Sequence, residues 1–137
     1  MRVVLDTCIL FSALRSSQGA SFRIVRSLPE KKFQALVSTP VFLEYEEVLL
    51  RPNQFPHLTV EDINDFLAFF AMTSESCRIN FLWRPYLPDP DDDLILELAV
   101  SGQADAIVTY NLKDFVGSER FGVRILSPAN FIKEIKL

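Results

Sequence analysis

Leu87-Pro88-Asp89-Pro90-Asp91-Asp92-Asp93-Leu94-Ile95-Leu96-Glu97-Leu98-Ala99-Val100-Ser101-Gly102, followed by Gln103-Ala104-Asp105-Ala106-Ile107-Val108-Thr109-Tyr110-Asn111, is the stretch on which the fold turns. Leu87 to Pro90 is a rigid turn, because proline fixes its backbone and removes a donor. The three aspartates then precede Leu94, Ile95, Leu98 and Ala99, so they occupy the N-terminus of a helix, where negative charge is favoured, and Gly102 stands near its end. Ala106 to Thr109 is a short β-branched run of the kind that forms a strand buried on both faces. Helix, strand and a polar turn therefore follow one another within a few residues.

The same alternation extends outward. Val3-Val4-Leu5 reads as a buried strand ended by Asp6-Thr7, which leaves Asp6 at its carboxyl end. Phe22, Ile24, Val25 and Leu28 recur at helical spacing, and Pro29 with Glu30-Lys31-Lys32 closes that helix. Phe33 to Val37 gives a second strand. Ser38-Thr39-Pro40 then offers cap candidates and a first-turn proline for a helix to about Leu50. On it Val41, Glu44 and Val48 lie three and four apart, so the Glu44 carboxylate shares a side with apolar neighbours while Glu46 and Glu47 point elsewhere. Arg51-Pro52-Asn53 breaks the helix. Thr59 to Asp62 opens another, bearing Ile63, Phe66, Leu67, Phe69 and Phe70; a phenylalanine stripe at this spacing reads as core rather than as a base-stacking surface. Cys77 to Phe81 is expected as a short strand, Leu112 to Val116 as a short helix or turn and Val123 to Leu126 as the final strand. Ser127-Pro128 starts a terminal helix with Phe131, Ile132 and Ile135 on one face. Strands alternating with helices predict a three-layer α/β/α fold with a mainly parallel central sheet, and ligands at the carboxyl ends of the strands.

Composition agrees with one domain over residues 1–137. The chain is 49% apolar, which supplies one sizeable core, and 4 Gly with 8 Pro exclude a fibrous or low-complexity chain. No apolar segment resembles a signal peptide or reaches the ~18 to 20 residues of a membrane span, so a cytoplasmic protein without a membrane partner is expected. Cys8 and Cys77 have no metal-ligand spacing, and the single histidine, His57, follows Pro56 in an expected surface loop. The net charge of −4 argues against a simple basic nucleic-acid binder. Four of the 18 acids, however, fall within five residues, Asp89 and Asp91 to Asp93, and a bound divalent cation would invert the local sign there.

Asp6, Glu44 and the Asp91 to Asp93 group come from separate segments, and a parallel sheet brings those segments to one end. Thr109-Tyr110-Asn111, with Asp114 shortly beyond, follows another strand end. One aspartate alone is explained by helix capping, worth ~0.5 to 2 kcal/mol, or by a turn. Several converging carboxylates repel one another unless a cation offsets them. An oxygen-only set without histidine or cysteine suits Mg²⁺ or Mn²⁺.

Val3 to Leu14 (VVLDTCILFSAL), Val37 to Pro52 (VSTPVFLEYEEVLLRP) and Leu87 to Phe115 together resemble the PIN-domain family. The last stretch is the most specific, being similar to the bacterial and archaeal PIN subgroup regarded as toxins of toxin–antitoxin pairs. The resemblance implies a PIN-like fold and a metal-dependent ribonuclease that hydrolyses an RNA phosphodiester with a water activated by Mg²⁺ or Mn²⁺. It makes Asp6, Glu44 and Asp92 or Asp93 the acids of the site; the DP-x-D pattern favours Asp92 and the spacing to Thr109 favours Asp93. Cys8 stands where asparagine is frequent. At the usual fourth acid this chain has Asn111, so either Asp114 replaces it or the site holds metal more weakly. Thr7, Thr109 and Asn111 would hold ligands or phosphate by hydrogen bonds, and Arg15 and Lys113 would meet RNA. An antitoxin partner and a homodimer are implied as well. The alternative is a noncatalytic metal- or RNA-binding module. An aspartyl-phosphate chemistry on Asp6 is disfavoured, because the haloacid-dehalogenase type needs an acid where Cys8 stands.

Overall fold

The computed structural model describes residues 1–79 and 86–137. Five short strands form one all-parallel sheet: β1 (Arg2–Leu5), β2 (Gln34–Val37), β3 (Glu75–Ser76), β4 (Ala106–Val108) and β5 (Arg124–Leu126), in the order β3-β2-β1-β4-β5. Six helices flank it in three α/β/α layers: α1 (Thr7–Arg15), α2 (Ala20–Arg26), α3 (Thr39–Leu49), α4 (Val60–Thr73), α5 (Pro90–Ser101) and α6 (Pro128–Ile135). Val3, Val4, Leu5, Ala35, Leu36, Ala106, Ile107 and Val108 are fully buried, as strands covered on both faces require.

The helix starts are set by local chemistry. Ser38 and Ser127 accept from the backbone N–H three residues on, and each is followed within two residues by proline. Thr59 and Asp62 bond reciprocally in a capping box. Asp89 caps α5 through the Asp91 N–H at 2.9 Å. On α4 Ile63, Leu67 and Phe70 are buried, while Phe66 and Phe69 are partly buried against the same core.

Two elements differ from the sequence expectation. The third strand lies at Glu75–Ser76 rather than at Cys77 to Phe81; Cys77 to Ile79 are outside any strand, and Asn80 and Phe81 fall outside the described residues. Glu75 holds this edge because Arg2 grips both of its carboxylate oxygens at 2.8 and 2.7 Å. The second difference is α1, which begins at once after β1, with Asp6 accepting from the Thr7 N–H at 2.8 Å. Its residues Cys8 to Phe11 are all apolar, so the helical period is concealed.

The order of strands places the site. From β1 the chain crosses to β2 on one side, and later returns to β4 on the other. The carboxyl ends of β1 and β4 thus flank the point where the strand order reverses, which is where open α/β sheets form a crevice.

Candidate metal centre

Asp6 ends β1 and is almost wholly buried. Its Oδ2 accepts from the Thr109 hydroxyl at 2.7 Å and from the Cys8 thiol at 3.4 Å. Thr109, at the end of β4 and fully buried, in turn accepts from the Asn111 N–H at 2.9 Å. These bonds orient the carboxylate and favour its charged form. Burial acts more strongly, and with the Asp114 charge it raises the Asp6 pKa above the ordinary aspartate value. Beside it, burial and the Asp6 charge push the Cys8 thiol up to about 12, so it is a neutral thiol at physiological pH.

Glu44, half-buried on α3, faces the same space. The neighbouring Tyr45 is fully buried and donates its hydroxyl to the Leu5 carbonyl, which ties α3 to the strand that carries Asp6. Burial is the first cause of the raised Glu44 pKa, followed by the charges of Asp91 and Glu47. Among the carboxyls of the site Asp92 is shifted furthest, to about 7, by burial and then by Asp6, Asp89, Asp114 and Asp91. Asp89 and Asp91 bear on both Glu44 and Asp92, whereas the charges of Asp6 and Asp114 bear on Asp92.

These groups line one cleft of about 320 Å³, with Asp6, Glu44, Asp89, Asp91, Asp92 and Asp114 around Thr7, Cys8, Phe11, Val48 and Asn111. Among the described residues lining it, six are acidic and none is cationic. As the side chains stand, no three acidic, histidine or cysteine groups among the described residues are drawn together closely enough to hold an ion. The donor chemistry nevertheless fits a hard divalent cation: oxygen ligands predominate, and the like charge that adds to burial in raising the Asp6, Glu44 and Asp92 pKa values is what such an ion would offset.

The remaining predicted residues are placed as follows. Asp93 does not line the cleft; it is 1% exposed and its carboxylate accepts from the N–H groups of Leu87 at 2.8 Å and Tyr86 at 3.4 Å. Asp114 and Asn111 line the cleft from the turn after β4. Arg15 and Lys113 are exposed and are not among its lining residues. Asp89 and Asp91 line the cleft although neither was singled out as a ligand. Helical spacing gives no signal that separates Asp92 from Asp93, since the two, three and four positions after Asp89, both fall on its side of a helix.

No curated protein matches the sequence. A solved structure, VapBC2 from Rickettsia felis bound to a DNA fragment from their promoter, has a similar fold at a TM-score of 0.63. It is 18% identical, and the match covers 93% of this chain and 98% of that one. A family model described as PIN domain matches residues 2–113. That match takes in β1, the Glu44 helix, the acidic start of α5 and the turn after β4, and the chain belongs to the PIN domain family.

Proposed function

We propose that this protein is a divalent-metal-dependent endoribonuclease and the toxin of a toxin–antitoxin pair. The observation that carries the reading is the convergence of six carboxylates on one cleft with no cation among its described lining residues. Such a set is destabilising by itself and becomes useful when a cation occupies it. Asp6, Asp92 and Asp114 would hold one ion, and Glu44 with Asp91 would hold a second or orient water.

Mg²⁺ or Mn²⁺ bound there would supply charge neutralisation at a phosphodiester and a water of lowered pKa. The protein's own residues do the rest. Thr109 and the Thr7 N–H fix Asp6 so that its oxygens keep one direction. Asp93 acts at one remove, anchoring the backbone of Tyr86 and Leu87 just before the turn that carries Asp89, Asp91 and Asp92. Thr7 and Asn111 line the cleft and would donate to phosphate oxygens, and Arg15 and Lys113, both exposed, are the candidates for contacts to flanking phosphates. Family membership and the fold shared with VapBC2 support the reading of an antitoxin partner. A cytoplasmic setting belongs to the same reading; among the described residues no helix is long and apolar enough to cross a membrane.

The test is cleavage of a pool of structured and single-stranded RNAs by the purified chain, with Mg²⁺ or Mn²⁺ and with EDTA. Metal-dependent cutting that is lost in Asp6→Ala and in Asp92→Ala, with the fold retained, supports the proposal. Absence of cutting at high protein concentration favours the noncatalytic module. That second reading draws on one observation, the neutral Asn111 in the turn beside Asp114.

A further inference from the structure

We propose that the ring of Tyr110 is a stacking platform for one nucleobase of a single-stranded nucleic acid whose backbone enters the carboxylate cleft. The inference rests on the nucleic-acid reading above and adds to it a subsite for the base.

Tyr110 sits on the rim of the cleft by connectivity. Thr109 before it bonds Asp6, and Asn111 after it lines the cleft. Its own N–H faces the Cys8 thiol, which is also in the lining. The hydroxyl lies 2.7 Å from Ser21 Oγ on α2 and 3.5 Å from Ser12 Oγ on α1. Ser21 is fully buried, so the anchor at the polar end of the ring is rigid. The residue as a whole is still 47% exposed, and its ring pairs with no other aromatic ring among the described residues.

This combination separates Tyr110 from an ordinary surface tyrosine. A tyrosine left in water usually keeps its hydroxyl solvated and its ring mobile; here the hydroxyl is engaged by a buried serine while nearly half of the residue stays exposed. A ring held at its far end offers a π-face with little rotamer freedom left to lose on binding. The surroundings create a need for it. Six acids and no cation among the described lining residues repel phosphate within the cleft, so attraction for the polymer there comes from an ion and from contacts that do not depend on charge. Base stacking is such a contact, and every base has a face to offer.

The probe is a short fluorescein-labelled single-stranded RNA made of 2′-O-methyl, phosphorothioate-linked units, together with a series in which each base in turn is absent. Binding to the full chain in Mg²⁺ is read by anisotropy, and the probe is checked for integrity afterwards. For the wild type one abasic position should weaken binding about five- to a hundred-fold, the range of one base–aromatic stack. Tyr110→Phe and Ser21→Ala, which each remove the hydroxyl anchor but keep the ring, should reduce that sensitivity, and Tyr110→Ala should bind every probe as weakly as the wild type binds the sensitive one. Circular dichroism and melting separate these effects from a loss of fold. The proposal is overturned if the wild type is indifferent to every base or binds no probe. It is also overturned if folded Tyr110→Ala keeps the abasic sensitivity. RNA cleavage is read separately, so a nuclease without base sensitivity refutes the platform alone, and base sensitivity without cleavage refutes the nuclease alone.

Discussion

Replacing Asp92 by asparagine should stabilise the metal-free protein, although the residue belongs to the proposed site. In the fold its carboxyl is pushed from the ordinary 3.8 to about 7, first by burial and then by Asp6, Asp89, Asp114 and Asp91. A carboxyl whose folded-state pKa is raised contributes stability while protonated, and that contribution is lost as pH rises from about 4 through about 7. The full interval corresponds to ~4 kcal/mol between the two charge states. Asp92 is only half-buried, so solvent screening reduces the usable figure to ~1 to 2 kcal/mol. For a chain of this size that is about 3 to 8 °C in melting temperature. Thermal unfolding in EDTA at about pH 5 and about pH 7.5 measures it. The wild type should lose stability over that interval; Asp92→Asn should lose less and should melt higher at the upper pH. Asp65→Asn, at an exposed position on α4, should do neither. Adding Mg²⁺ should reverse the ranking, since an ion bound by the native state alone stabilises it. An Asp92→Asn protein with a lower melting temperature at about pH 7.5, or with the wild-type pH slope, would refute the electrostatic argument.

Three further outcomes follow from other residues. Asp93→Ala should cost ~1 to 3 kcal/mol in denaturant unfolding, because the buried Leu87 N–H and the partly buried Tyr86 N–H lose their acceptor. Calorimetric titration of Mn²⁺ distinguishes the two candidates in the turn after β4: tighter binding in Asn111→Asp with no change in Asp114→Asn marks a vacant fourth position. Weaker binding in Asp114→Asn assigns that role to Asp114. Light scattering at micromolar concentration should give a dimer mass, since α4 leaves Val60 and Met72 at 64% and 86% exposed beside the partly buried Phe66 and Phe69; a monomer mass rejects it.

The parallel sheet was legible because β1, β2 and β4 are short apolar runs each closed by a polar residue, and because Ser38, Thr59 and Ser127 mark helix starts by their cap chemistry. What failed was local. Cys8 to Phe11 hides the period of α1 behind continuous apolar residues, and β3 is an exposed two-residue edge held by Arg2, a pairing 73 residues apart in the chain that no local pattern records. In the site, the segments that would converge were readable from topology. The division of labour within Asp89 to Asp93 was not, because it depends on which carboxylates meet the Leu87 and Tyr86 backbone and which face Glu44 and Asp6. The inward hydroxyl of Tyr110 is likewise a tertiary fact, since Ser21 lies 89 residues away.

The central claim, that these carboxylates together form a divalent-cation site, is tested most directly by anomalous scattering from crystals soaked in Mn²⁺. A peak bounded by Asp6 and Asp92, with Asp114 or Glu44 turned toward it, is the predicted result. A fully occupied Mn²⁺ elsewhere on the surface and none between Asp6 and Asp92 would contradict it.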